Sequence, residues 1–462
     1  MHGLVIGAVV GRGEAVAIAA VVLGIMAFVA AFAWPRAAVL VALAMGMLQY
    51  GPTKTVHLLP QAMTVLDDVL VVALALRWVA GVAARRIDPP VWVTTWLIIW
   101  MGCGLLNAAF RGIGIMTTLV SYRWMFLPTV LYLACAHFAR QGRFARDVIA
   151  LVAGIGLLQA AVAIVQAGMV GSIGDNSVGL LGHGGANVLG FLSLLAVVLV
   201  AASRMPLSKS VWLIVAGILG AISAQARMAI LTSPFALILV YRGNLKRPRV
   251  VLAVAVTLIA CALIATVAFA ESHMTVSRDL SPLRLVALQL RSPELGGGRL
   301  VPLVRLPGVF GASPLDWLAG LGPGQYGSAF RQIPSMLTFR YQVANSEWTV
   351  IWGEYGLIGL LCFLAILSRP LRISMRLRAG DDDPGWTRQM VRAAPSIAFV
   401  GVCGMMVLQI LEYQPFSYPF WALLGVVEAA WAVSQVAPPP LLDDGSALLR
   451  RCGVESGNRL ET

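Results

Sequence analysis

The sequence predicts an all-α fold: a polytopic transmembrane helical bundle of about 12 or 13 spans, with one long extracytoplasmic loop containing short helices. Three observations predict it. The 462 residues are 59% hydrophobic and 12% charged, with mean hydropathy +0.83, too apolar for a soluble domain of this size. Apolar runs approaching the roughly 20 residues that a bilayer demands recur along the chain. A single long polar stretch, 271–346, interrupts them.

The first block, 1–270, holds about ten such runs, near 14–33, 36–50, 65–84, 91–110, 117–138, 147–170, 186–203, 211–224, 228–241 and 249–270. No cleavable signal precedes them, so the first span is expected to serve as the targeting signal. Three more runs, near 347–368, 393–412 and 417–435, form a second block, and a short polar tail, 436–462, is expected to be disordered. Five of the six cysteines (Cys103, Cys135, Cys261, Cys362 and Cys403) fall inside spans, which argues against a disulfide framework.

The formal charge of +13 is distributed by loop. Alternate loops hold Arg36, then Arg85 and Arg86, then Arg140, Arg143 and Arg146, and so on through Arg369 to Arg392 and the tail, 21 of the 34 Lys and Arg in all. The intervening short loops hold only Lys54, Arg111 and Arg227. By the positive-inside rule the C-terminus is cytoplasmic and 271–346 extracytoplasmic. Arg12 falls outside if residues 14–50 cross twice, and a merged segment there reverses the N-terminus.

The long loop carries seven arginines, at 278, 284, 291, 299, 305, 331 and 340, against Glu271, Asp279, Glu294 and Asp316. Ser-Pro pairs, Gly296-Gly297-Gly298 and Gly-Leu-Gly-Pro-Gly at 320–324 divide it into short pieces. Short surface helices are expected near 283–291 and 299–306. Guanidinium forks match phosphate oxygens bidentately, so a cluster at the outer face suits a pyrophosphate-linked lipid. Arg227, in a very short outer turn, stands against the topological bias and is expected to bind an anion. Arg123 either lines an outward cavity or snorkels to the interface.

Glu347 and Glu354, seven apart, share a helical face after the loop, where either could orient a base or pair with an arginine. Gly353, Gly356 and Gly359 suit close helix packing. Asp67 and Asp68 read as an interfacial acid pair or as partners for arginine. Gly182 to Asn187 reads as a glycine-rich turn opening a helix, structural or anion-binding. The scattered histidines and span-bound cysteines offer no zinc or iron constellation, and no cofactor, metal or nucleic-acid partner is expected. Asp381-Asp382-Asp383 reads as a solvated turn.

Taken in order, these segments resemble the O-antigen ligase and Wzy-type polysaccharide polymerase superfamily. Gly-Leu-Leu-Gly-His-Gly-Gly-Ala-Asn-Val-Leu-Gly (179–190), Gln225-Ala226-Arg227, Arg299 with Gly-Leu-Gly-Pro-Gly-Gln-Tyr (320–326), and Asn345 to Gly359 are similar to its glycine-rich, arginine, loop and Glu-x-Gly-x-x-Gly motifs. The resemblance covers roughly residues 120–435. It implies a metal-independent glycosyltransferase of the inner membrane, moving glycans from an undecaprenyl pyrophosphate carrier, with membrane lipids, a flippase and a chain-length regulator as partners. It further implies Arg227 and Arg299, then Arg305 and Arg123, on the pyrophosphate. The histidine that activates the acceptor in ligases falls here on Asn345, and neither Asn nor the adjacent Ala344 is a general base. Glu347 is the nearest substitute, with His273 second. A ligase is the near alternative to a polymerase. A lipid or sugar flippase, or a peptidoglycan-type glycosyltransferase using Asp316, comes from outside that class.

Overall fold

The computed structural model describes residues 22–48, 66–170, 177–181, 185–203, 205–242, 301–327, 346–377, 385–407 and 413–436. The described residues form an all-α bundle: α1 (Val22–Ala33), α2 (Pro35–Leu48), α3 (Leu66–Ala83), α4 (Val91–Phe110), α5 (Ile115–Met125), α6 (Thr129–Phe138), α7 (Gly142–Val170), α8 (Ala186–Ala202), α9 (Leu207–Ser223) and α10 (Arg227–Tyr241). The loop contributes α11 (Val301–Phe310) and α12 (Pro314–Ala319), and the second block α13 (Glu347–Arg376), α14 (Gly385–Val407) and α15 (Gln414–Val436).

Five of these helices are long and apolar enough to cross a membrane, six if α5 and α6, bent by 44° at Phe126–Pro128, form one span. Five more are apolar but shorter. The chain is a multi-pass membrane protein. The expected span 249–270 lies outside the described residues.

The centre is α8. Every residue from Ala186 to Ala202 except Asn187 is buried, as an all-round apolar helix must be. It is enclosed by α7, α9, α10, α14 and α15. Small residues bring the helices together: a Cβ on Gly156 would lie 2.8 Å from that of Ala196, and one on Gly220 would lie 2.4 Å from that of Ala160.

The first two expected crossings, 14–33 and 36–50, do not form a hairpin. Only Trp34 separates α1 from α2, and helical bonds span the gap, from the Trp34 amide to the Ala30 carbonyl and from the Ala38 amide to the Trp34 carbonyl. One residue cannot reverse a helix, since helical hairpins need loops of about 2–5 residues.

Side-chain contacts sort the helix ends into two sets. At the arginine-rich end the Arg140 guanidinium donates to the Asp88 carbonyl, Gln389 to Leu199, and Arg242 to Ser374. At the opposite end Gln414 meets Asp68, and Arg111 meets Asp316. With α5 and α6 counted as one crossing, the helices from α3 to α10 and from α13 to α15 therefore alternate in direction, as the charge alternation predicts.

A second correction concerns Arg369, Arg372 and Arg376, read as loop residues. They occupy the last turns of α13. Arg369 binds Glu428 of α15 through two bonds, Nε to Oε2 at 2.9 Å and Nη2 to Oε1 at 2.7 Å, and Tyr132 donates to the same carboxylate at 3.1 Å. Arg372 lies over the Trp92 ring. The helix continues because each of these two guanidinium groups finds a partner on a neighbouring helix. Glu428→Ala, which strands Arg369, is expected to cost about 3–5 kcal/mol, whereas an apolar pair at both positions recovers most of it. Thermal inactivation in detergent measures both, and unchanged stability of Glu428→Ala contradicts the assignment.

Candidate functional site

The end of the bundle that carries the loop gathers most of the residues singled out by sequence. The loop descends through α11 and α12 onto α13. Ser313 caps α12, accepting from the Asp316 amide, with Pro314 in its first turn. Phe310 packs edge-on against Trp352 of α13 and against Trp317, and the Trp317 ring lies tilted against Trp352. On the other side Arg111 pairs with Asp316 and donates to Asn107 Oδ1 at 2.8 Å, while Asn107 Nδ2 donates to the carbonyls of Ala319 at 2.7 Å and Gly320 at 3.1 Å. Asp316 thus holds the loop on α4.

Beyond α12 the loop and α13 clamp each other. Inside α13, Gly356 adopts φ 64°, ψ −163°, which breaks the helix. The break leaves carbonyls of the preceding turn open to other donors, and the loop supplies them: Leu321 N–H donates to Gly353 O at 2.8 Å and Gly322 N–H to Glu354 O at 2.9 Å. Irregular backbone is tolerated at membrane depth only where protein satisfies it.

The Glu354 side chain completes the clamp from the other direction. Fully buried, it accepts from the amides of Gly324 at 2.8 Å, Gly327 at 2.9 Å and Tyr326 at 3.3 Å, and from Ser121 Oγ at 3.0 Å. Successive amides of a glycine-rich turn form an anion-binding nest. Here the nest is filled by the protein's own carboxylate. Glu354 thus anchors the loop. Gly353 and Gly356 serve the docked loop rather than a helix: a Cβ on Gly353 would lie 2.5 Å from the Tyr326 ring, and one on Gly356 would lie 2.3 Å from the Leu318 carbonyl oxygen. Burial pushes the Tyr326 phenol up to about 12, so at neutral pH it is a neutral group and not a base.

Glu347 begins α13 behind its cap, Ser346, whose Oγ accepts from the Thr349 amide. It too is fully buried. Asp67 and Asp68 open α3, both buried. Asp68 forms an ion pair with Arg123 and accepts from Gln414 at 3.3 Å, and Tyr418 adjoins both acids. Of the two roles expected for these acids, Asp68 takes that of arginine partner. Arg123 also lies 4.9 Å from the Trp124 ring centroid, so its charge is matched from two sides within the protein.

Arg227 is half-buried at the first position of α10. The turn before it is tight: Gln225 takes φ 53°, and Ala226, at φ −73° and ψ 67°, makes an inverse γ-turn closed by Arg227 N–H to Gln225 O at 2.8 Å. Ala226 packs on Gly190 of α8, where a Cβ would lie 2.2 Å from its own. No acidic residue lies in the first turn. A cation at the positive end of a helix is electrostatically disfavoured.

The glycine-rich turn before α8 is pinned by glutamines of α7: Gln166 exchanges bonds with the Gly179 backbone at 2.8 and 2.9 Å, and Gln159 accepts from Leu180 at 2.7 Å. Residues 182–184 lie outside the described residues, as do Arg299, Asn345, His273 and the predicted helix 283–291. The expected helix 299–306 appears as α11, with Arg305 within it.

Arg227 and Glu347 begin helices that both pack on α14, where Cys403 meets Thr232 of α10, and Trp348 donates to the Val402 carbonyl. Sequence reasoning missed Arg111, Asn107 and Ser121. The signal for the first was present, since Arg111, like Arg227, opposes the charge bias. The four described cysteines are free, and among the described residues no three of His, Cys, Asp and Glu gather as a metal site. Neither the models of known protein families nor the curated proteins give a match to this chain.

Proposed function

We propose that this chain is a membrane glycosyltransferase that polymerises oligosaccharide repeat units carried on undecaprenyl pyrophosphate, with its long loop on the outer face of the inner membrane. The observation that carries this proposal is the clamp. The Gly-x-Gly-x-Gly-x-Tyr segment and the Glu-x-Gly-x-x-Gly segment, each similar to a motif of the O-antigen ligase and Wzy-type superfamily, interlock through Glu354 and the Gly320–Gly356 contact. The clamp fixes residues 320–327 at the end of the bundle at which Arg227 starts its helix.

In this mechanism the acceptor hydroxyl attacks the anomeric carbon and gives its proton to Glu347, the bond from that carbon to the pyrophosphate oxygen breaks, and charge builds on the leaving group. Preorganised cations aimed at that charge supply much of the rate. Arg227 and Arg299 are assigned this role, with Arg305 second. Arg123, already matched by Asp68, positions the acid cluster and is secondary. Glu347 is assigned to the acceptor side, where its burial suits orienting a hydroxyl. Lipid-linked oligosaccharide, membrane lipids, a flippase and a chain-length regulator are the implied partners.

Purified protein incubated with a defined undecaprenyl pyrophosphate oligosaccharide should extend it. Arg227→Ala and Arg299→Ala should each lower turnover about 100- to 1,000-fold while membrane insertion survives. Full-length polymer from both variants rejects the assignment. In cells, deletion that leaves single-repeat glycans indicates a polymerase, and free untransferred polymer indicates a ligase.

A further inference from the structure

The opposite, arginine-rich end of the bundle holds a cavity of about 690 Å³, lined by Arg140, Gly142, Arg143, Arg146, Trp386 and Gln389 together with Gly385 and Val433. This volume lies in the range of ligand sites, roughly 300–1,000 Å³. Among the described residues its charge is one-sided: three guanidinium groups line it and no carboxylate does. None of the three is in an ion pair among the described residues. Asp147, next to Arg146, is exposed and outside the lining, and Asp381 to Asp383, which precede Gly385, lie outside the described residues.

Two helices begin at this cavity, α7 at Gly142 and α14 at Gly385. Neither has an acidic residue in its first turn, whereas Arg143 and Arg388 stand within four residues of the two starts. Arginine at a helix N-terminus adds positive charge to the positive end of the dipole, an arrangement that an anion stabilises. The close approach of the two starts is built into the sequence. A Cβ on Gly142 would lie 2.6 Å from Trp386 Nε1, and Gln389, donating to the Leu199 carbonyl at 2.8 Å, ties α14 to α8.

Two of the arginines are held in place by single bonds. Arg140 donates to the Asp88 carbonyl at 3.4 Å and Arg146 Nε to the Gly142 carbonyl at 3.3 Å, leaving most of the five donors of each guanidinium available. Basic pockets between membrane helices, at the level of the headgroups, bind phosphate-bearing lipid headgroups.

We propose that this cavity is a second anion site, separate from the loop end, which takes the phosphodiesters of an anionic phospholipid headgroup. Inorganic pyrophosphate shares that chemistry, and its competition separates a lipid from a soluble ligand. Full-length protein in phosphatidylcholine nanodiscs, with or without cardiolipin, is released into native mass spectrometry and the retained lipid counted.

Wild type should retain cardiolipin, and Arg143→Ala/Arg146→Ala should weaken retention about 30-fold, at about 1 kcal/mol for each arginine that meets the headgroup in the cavity. Arg85→Ala/Arg86→Ala, which removes equal charge from the same end outside the cavity, should retain it as wild type does. Equal retention in all three proteins, or equal loss in both variants, overturns the site. Pyrophosphate binding without cardiolipin retention overturns the lipid as its ligand. All four arginines are exposed, so the substitutions leave the fold intact, which the unfolding temperature verifies.

Discussion

Glu354→Ala is expected to release residues 320–327 from the bundle and abolish activity while every helix still inserts. The carboxylate accepts from three backbone amides and a serine hydroxyl. Hydrogen bonds to a charged group contribute roughly 1.5–3 kcal/mol each, so losing even two shifts the ratio of docked to undocked loop by about 100-fold or more. Alanine has a further cost, because the Gly324 and Gly327 amides are left buried without an acceptor. Glu354→Gln, which keeps one carbonyl oxygen but turns an NH2 group toward the remaining amides, should fall between. Ser121→Ala removes one donor to the carboxylate and the bond to the Tyr355 hydroxyl, and should cost about 1.5–3 kcal/mol, less than loss of the carboxylate itself. Hydrogen exchange of peptides covering 320–327 reports this directly. Full protection in Glu354→Ala would show that the loop is held by something other than the clamp.

The second large effect belongs to the two glycines that face each other across the clamp. Gly320 (φ 75°, ψ −173°) and Gly356 (φ 64°, ψ −163°) occupy a backbone region open to glycine almost alone. A Cβ on Gly320 would lie 2.4 Å from the Glu354 carbonyl carbon and 2.5 Å from the Gly356 amide nitrogen, and one on Gly356 would lie 2.5 Å from the Gly320 nitrogen. These neighbours are backbone, so no rotamer change relieves the clash. With about 1–3 kcal/mol for the conformation and a similar sum for overpacking, Gly356→Ala should undock the loop as thoroughly as Glu354→Ala does. Gly154, on α7 with nothing within 4 Å of a Cβ, is the control. There, alanine should be neutral or stabilising by roughly 0.5–1 kcal/mol. Exchange rates and thermal inactivation of the two variants, compared side by side, separate a special backbone site from general intolerance of substitution.

The candidate site was legible only in part. Arg227 stood out because a charge in a short outer turn opposes the insertion bias, and the structure adds that it sits against its own helix dipole. Glu354 was visible as an acid near a span but not as a loop anchor. Its partners are backbone amides about 30 residues upstream, which leave no side-chain signature. Arg369 was read as a loop residue because a charge normally ends a hydrophobic run. Its bidentate contact with Glu428 lets α13 continue, and that contact is set by which helix lies alongside.

The sequence by itself determined where the helices lie. The run 91–110 is the helix Val91–Phe110, 186–203 is Ala186–Ala202, and 228–241 is Arg227–Tyr241, because membrane insertion is a sum of transfer free energies over one continuous segment. Charge likewise fixed the alternation of the ends. Tertiary structure alone decided that Trp34 joins two expected spans, that Asp68 takes Arg123, and that α13 opens at Gly356 to receive the loop. Each depends on a carbonyl, amide or charge finding its partner in the folded chain. In the low-dielectric interior an unpartnered polar group costs several kcal/mol, and the packing that supplies the partner is a property of the assembled bundle.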